Sequence, residues 1–268
     1  MVRSLRFFRP SQFTLMVAVL LLPTLILAAE RFSKASKGAL PAAQQETVEM
    51  FAAIDGGQIG VRLIPKDSTQ SQILIENKTR KPLTVKLPEA FAGMPVLAQN
   101  NNRNNGNNNN NSSQNQGMGG GMGGMGGGMG GGMGGGMGMF NVAPEKVGKF
   151  AVATVCLEHG KNEPRAAIPY EIKPIESFTD KPEVQELCRM LGGGQLDQRA
   201  AQAAAWHLNN GMSWEELAAK RLEFANGSSR PYFSPQEIQG GMRLSAMAAK
   251  LAEQRRQSPG ESDSASSR

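Results

Sequence analysis

The chain has little of most chemistry-bearing residue types: 2 Cys, 2 His, 2 Trp and 2 Tyr in 268 residues, with aromatics at only 6%. Two cysteines exclude a disulfide-dense secreted scaffold. Apart from one apolar run near the N-terminus the sequence has no stretch long enough for a membrane helix, which excludes a polytopic membrane protein. No basic helix, aromatic stacking set or finger spacing is present, so nucleic acid is not an expected partner. No hydrolase constellation is visible either. If Cys156 ends a strand, His159 three residues on faces the opposite side, so these two do not make a dyad. The glycine-rich stretch lacks the Lys and the strand-to-helix context of a phosphate loop.

What is present is unevenly distributed. Gly117 to Gly138 hold 16 of the 32 glycines, and Met118 to Met139 hold seven of the 15 methionines. Residues 1–29 carry Arg3, Arg6 and Arg9 without an acid and then run apolar from Phe13 to Ala29, which reads as an export signal. Pro23 weakens a permanent helix, so cleavage is favoured over membrane anchoring by residues 13–29 at an inner membrane. The expected location is exported: periplasmic, cell-surface or secreted. Without that segment the formal charge falls from +6 to +3, spread without a basic stripe, which removes the main support for a nucleic-acid partner.

Residues 30–43 read as a linker. From residue 44 to 176 the pattern is that of strands: Val61/Leu63, Ile73/Ile75, Leu83/Val85/Leu87 and Phe150/Val152/Thr154/Cys156 each fall on one face at period 2. The turn-rich Asn77–Pro82 connection supports an antiparallel arrangement, and the expected fold is an immunoglobulin-like β-sandwich. Residues 98–139, an Asn tract followed by the Gly/Met tract, read as a disordered insertion between two strands, tolerated because loop-closure entropy grows only logarithmically with length.

From residue 178 to 256 the period becomes helical. Val184, Leu187, Cys188 and Leu191 form an i, i+3, i+4, i+7 stripe, Asp197 and Gly211 bracket a second helix, and Ser213/Glu216 and Ser234/Glu237 are capping boxes for a third and a fourth. Residues 257–268 read as a disordered Ser-rich tail. The fold class is therefore α+β, a β domain followed by a small helical domain.

All four Cys and His residues lie between Cys156 and His207. Cys156 and Cys188 are open to a disulfide in an exported compartment. Cys156, His159, Cys188 and His207 also make a chemically competent zinc set, at a spacing that matches no finger or ribbon. Methionines at intervals of three and four in the glycine tract suit Cu(I), since soft sulfur selects soft metal, although the favoured reading is a repeat expanded by slippage in which Met is incidental. No resident cofactor is expected.

Thr154-Val155-Cys156-Leu157-Glu158 and Gln202-Ala203-Ala204-Ala205-Trp206 resemble the Cys segment and the Q-x-A-x-W segment of the thioester domains of bacterial surface adhesins. That resemblance implies a bond between the Cys156 sulfur and the Gln202 side-chain carbonyl, shielded by Trp206, that would capture an amine or hydroxyl on a target surface. The bland alternative is that Cys156 ends a buried strand and that Gln202 and Trp206 serve helix packing. The wider pattern, Val155-Cys-Leu-Glu-His-Gly160 followed by Ala204-Ala-Trp-His-Leu208 and Ser213-Trp-Glu-Glu-Leu217, resembles a group of uncharacterised exported bacterial proteins, which implies no activity. The expectation from sequence is a non-enzymatic binding or attachment protein with a protein or surface partner.

Overall fold

The computed structural model describes residues 46–96, 115–122 and 138–257. The readings of residues 1–29 and 30–43, and of the tail beyond Gln257, lie outside the described residues.

The architecture is α+β. Its strands are β1 (Glu46–Glu49), β2 (Ile59–Pro65), β3 (Gln70–Asn77), β4 (Leu83–Lys86), β5 (Ala90–Pro95), β6 (Met118–Gly121), β7 (Met139–Val142), β8 (Val147–Cys156) and β9 (Tyr170–Pro174), and a hairpin of β10 (Arg221–Glu223) and β11 (Ser229–Pro231) follows later. Its helices are α1 (Met50–Asp55), α2 (Pro182–Gly192), α3 (Gln198–Asn210), α4 (Trp214–Ala219) and α5 (Pro235–Gln257).

Strands β2, β3, β8, β6, β5 and β9 close into a six-stranded barrel in that order, every neighbouring pair antiparallel. A barrel thus stands where the strand pattern suggested two facing sheets. Alternation along a strand reports which residues point inward, and it is the same for a sandwich and a barrel; closure depends on which strands pair at the edges. The alternation itself is clear in β3, where Ser71, Ile73, Ile75 and Asn77 are buried and Gln70, Gln72 and Glu76 are exposed. Leu63, Ile73, Ile75, Phe91, Met118, Met122, Phe150, Val152 and Ile172 fill the interior. A small sheet, β1-β4-β7, together with α1 extends this core through Met50, Ala53, Leu83, Val85 and Val142. The turn after β3 is held by the fully buried Asn77, whose Nδ2 donates to Lys81 O (2.8 Å) and Val142 O (3.0 Å).

The strand that closes the barrel between β5 and β8 is β6, from the Gly/Met tract. The reading of residues 98–139 as a disordered insertion therefore fails at residues 115–122 and at Gly138 and Met139, where β7 begins; the rest of the tract lies outside the described residues. The tract lacks side chains to bury, but β6 buries its backbone. Met118, Gly120 and Met122 face the barrel interior, while Gly119 and Gly121 face α2. A Cβ on Gly119 would meet Cys188 Sγ at 2.6 Å, and one on Gly121 would meet Cys188 O at 2.3 Å and Gly192 N at 2.6 Å. A Cβ on Gly120 would meet the Phe91 ring at 2.7 Å. Only glycine lets strand and helix approach this closely.

The helices form where the caps and stripes place them. Asp197 caps α3 by accepting from Ala200 N at 2.7 Å, and Gly211 ends it at φ +72°. Ser213 and Glu216 close a capping box on α4, and Ser234 and Glu237 form the same reciprocal pair on α5. The α2 stripe Val184, Leu187, Cys188 and Leu191 packs with Ala201, Ala204, Ala205 and Ala248 against Ala90, Ala92, Val155 and Leu157 on the outside of the barrel. The helices therefore share a second core with the outer face of the barrel, distinct from the one inside it. Glu186, only 3% exposed, binds Arg189 Nη1 (2.8 Å) and Arg255 Nε (2.6 Å), joining α2 to the end of α5.

Candidate functional site

Cys156 ends β8 and Gln202 lies one turn into α3, and the packing of α3 on the barrel brings them into contact. The Gln202 side-chain amide reads the backbone of Cys156 at both ends: Cys156 N donates to Gln202 Oε1 and Gln202 Nε2 donates to Cys156 O, each at 2.8 Å. Cys156 pairs with Met118 of β6 on one side; on the other, where the β3 register ends at Ala153, Gln202 takes the place of a strand and satisfies two buried backbone groups at once. The thiol lies on another side, with Sγ 3.9 Å from Ser68 O. Burial, reinforced by the charges of Glu163 and Asp67, pushes the Cys156 thiol well above its usual range. A thiolate is strongly disfavoured there.

Cys188 is a separate free thiol, fully buried between α2 and β6, and burial pushes it up to about 12. The two imidazoles have other partners. His159 Nε2 accepts from Lys220 Nζ at 2.9 Å, and the ring sits edge-on to Trp206 with centroids 4.8 Å apart. His207 stacks on Trp214 at 4.2 Å and pairs through Nδ1 with Met212 O at 2.8 Å. Among the described residues no group of three or more His, Cys, Asp or Glu converges as a ligand set, and the four read together as a zinc set do not meet. Met118 and Met122 of the copper reading are sealed in the barrel core, Met139 is partly exposed on β7, and the other methionines of the tract lie outside the described residues.

Trp206 centres an aromatic–cationic cluster. Its ring is tilted against Tyr232 at 5.4 Å and edge-on to Phe233 at 5.8 Å. Lys220 Nζ lies 5.4 Å from the Trp206 ring centre and 5.3 Å from that of Tyr232. Arg199 lies over Tyr232 (4.4 Å) and Phe233 (4.9 Å), donates to Tyr232 O, and pairs with Glu237 at 3.6 Å. Cations over aromatic faces hold both in place without a carboxylate for each charge. Among the described residues the buried Trp206 Nε1–H has no partner. Burial and the neighbouring Lys220, opposed by Glu216, hold His159 below its ordinary value, in keeping with a neutral ring that accepts from lysine.

Beside this cluster is an open cleft of about 390 Å³ lined by Arg199, Leu222, Arg230, Pro231, Tyr232, Ser234 and Glu237. It lies between α3, the start of α5 and the β10–β11 hairpin. Arg199, Lys220, Arg230, Tyr232 and Phe233 were not singled out from the sequence. Asn226-Gly227 flanked by short runs is a hairpin signal, and the structure uses it: Gly227 has φ +79°, and Asn226 Oδ1 accepts from Ser228 N at 3.0 Å. That turn brings Arg230 to Phe233 back toward α3.

Sequence readings had brought together Cys156, Gln202 and Trp206, and these three do cluster, along with Ala203, Leu217, Phe233 and Ile238. Among the described residues no helix is long and apolar enough to cross a membrane. Compared with known proteins, the chain has no significant match to a family model, to a curated protein or to a solved structure.

Proposed function

We propose that the chain is an exported, non-enzymatic binding protein of the periplasm or cell surface, and that the cleft between α3, α5 and the β10–β11 hairpin is its binding face. The observation that carries this reading is the grouping of two guanidiniums, Arg199 and Arg230, with the Tyr232 ring and the apolar edges of Leu222 and Pro231 around one open cavity. Arg199 is already engaged by Tyr232 O and Glu237, whereas Arg230 has only the Phe224 ring beside it, 5.7 Å away, among its described contacts. A partner with a carboxylate for Arg230 and an apolar group for Tyr232 fits this lining, as an acidic segment of a protein does.

The test is titration of the mature chain with a fluorescently labelled, extended Glu/Leu peptide. Saturable binding that weakens with salt and drops at least about tenfold in Arg230→Ala supports the proposal, by analogy with loss of a charged contact. Equal binding by the variant, or none by the parent, removes it. The intact mass of secreted material tests export by fixing where the chain begins.

A second reading rests on the contact between Cys156 and Gln202, the pair that the adhesin resemblance implies. In it the Cys156 sulfur attacks the Gln202 side-chain carbonyl carbon, a C–S bond forms, and ammonia leaves with the thiol proton. Gln202 must first release the Cys156 backbone, and Sγ must turn from Ser68 O. A mass deficit of one ammonia, abolished by Cys156→Ala and by Gln202→Ala, would establish this covalent adhesin; an unmodified mass removes it.

A further inference from the structure

The place of β6 in the barrel specifies six consecutive residues. At the first, a Cβ on Gly117 would come within 2.4 Å of the Phe178 ring. At the second and sixth, Met118 and Met122 are fully buried in the barrel interior. At the third, fourth and fifth, Gly119, Gly120 and Gly121 meet Cys188 Sγ, the Phe91 ring and the α2 backbone at distances that admit no Cβ. The slot therefore selects Gly-Met-Gly-Gly-Gly-Met.

The chain contains that hexapeptide four times: residues 117–122, 124–129, 128–133 and 132–137. We propose that the slot between β5 and β8 is a peptide-binding site for Gly-Met-Gly-Gly-Gly-Met, and that the copies at 124–129 and 128–133 are interchangeable with 117–122 as its occupant within the same chain. Register in a Gly-rich strand is weakly specified, and here three further stretches of sequence present the same atoms to the same walls.

The connections permit the exchange. Met122 N donates to Glu89 O and Leu87 N donates to Gly138 O, so the end of the slot and the start of β7 are tied to residues two apart on one segment. That keeps them within about 16 Å of each other. With 124–129 in the slot eight residues remain before Gly138, and with 128–133 four remain, whose five steps reach about 17 Å. The copy at 132–137 leaves none.

Little pins the first copy. The contacts just before it are mostly backbone: Gln116 N to Asn162 O (3.0 Å) and Tyr170 Oη to Gln116 O (2.8 Å), which the glycine that would follow into that place supplies as well. The side chains add one hydrogen bond, Asn115 Nδ2 to Glu163 O at 2.9 Å. Against it, Gln116 Oε1 is buried without a partner among the described residues, and a shift relieves that.

Three full-length variants test the exchange. In the first, Met118→Gln with Met122→Gln spoils only the resident copy. In the second, Met125→Gln, Met129→Gln and Met133→Gln spoil the alternatives. The third carries all five substitutions. The expected result is a Tm for the first and second variants within about 3 °C of the parent, and for the third a fall of more than about 10 °C. Met129 belongs to both alternative copies, so in the first variant it becomes protected from peroxide oxidation while Met137 stays reactive, as read by peptide mass spectrometry. If the first variant melts as low as the third, or folds with Met129 as reactive as Met137, the proposal fails. If Met129 is protected only in a concentration-dependent dimer, the occupant comes from a second copy of the chain, and exchange within one chain is overturned.

Discussion

Two surfaces of the helical layer are built on opposite terms. Where α2 meets β6, contact is made by backbone and a sulfur atom, with no side chain between Gly121 and the α2 main chain. Where α3 and α5 meet the β10–β11 hairpin, contact is made almost entirely by large side chains, Arg199, Lys220, Trp206, Tyr232 and Phe233, and a cleft remains open beside them. Backbone seams pack to fixed distances and tolerate no added atom. Aromatic–cationic clusters hold their shape through several contacts of about 1 kcal/mol each, so one can be lost without collapse. The seam suits closure of a barrel, and the cluster suits a face that must admit a partner.

Breaking the seam should have the largest effect. Gly121→Val places carbon against Cys188 O and the Gly192 backbone, neither of which can move without displacing α2, and should cost about 3 kcal/mol or more in urea unfolding. A cost under about 1 kcal/mol would mean that β6 does not rest on α2 as described. Next is the joint between the two surfaces. Gln202→Ala leaves Cys156 N and O buried without partners and should cost about 2–3 kcal/mol, whereas Cys156→Ala, which keeps both bonds, should cost less. Equal losses would place the importance in the thiol instead.

Smaller effects belong to the cluster. The folded state holds His159 below its ordinary value of 6.5, so as pH falls through 6.5 the unfolded chain takes up a proton that the folded chain resists. Stability should therefore be fully present above about pH 7 and decline as pH drops toward the lowered value, and His159→Gln should flatten that decline. Identical pH profiles for parent and variant would show that burial and Lys220 do not hold the ring neutral. Smallest of all, Arg230→Ala should leave stability within about 0.5 kcal/mol, because the side chain lies on the cleft and not in the core. A large loss would make the hairpin part of the core and not a rim.

The legible parts of the fold are those set by near neighbours in sequence. Phe150, Val152 and Thr154 announce the inner face of β8 because side chains alternate along any strand. Asp197, Gly211 and Ser213 announce helix ends because capping acts within three or four residues. Of the candidate site, the meeting of Cys156 with Gln202 was legible, but its form was not. An amide that clasps a backbone and an amide that faces a thiol need the same two residues at the same spacing. Arg199 and Arg230 were not legible as a pair because 30 residues and a hairpin separate them before the fold brings them to one cleft.

By itself, the sequence determined the inward faces of β2, β3, β4 and β8, the stripe of α2, the caps of α3, α4 and α5, and the α+β class, since each follows from periodicity and local hydrogen bonding. The tertiary structure alone decided that the sheet closes into a barrel and that Met118–Gly121 closes it. Glycine carries no side-chain pattern to read. Its value at those positions is the absence of a Cβ against Cys188, Gly192 and Phe91, atoms that only the folded chain brings near.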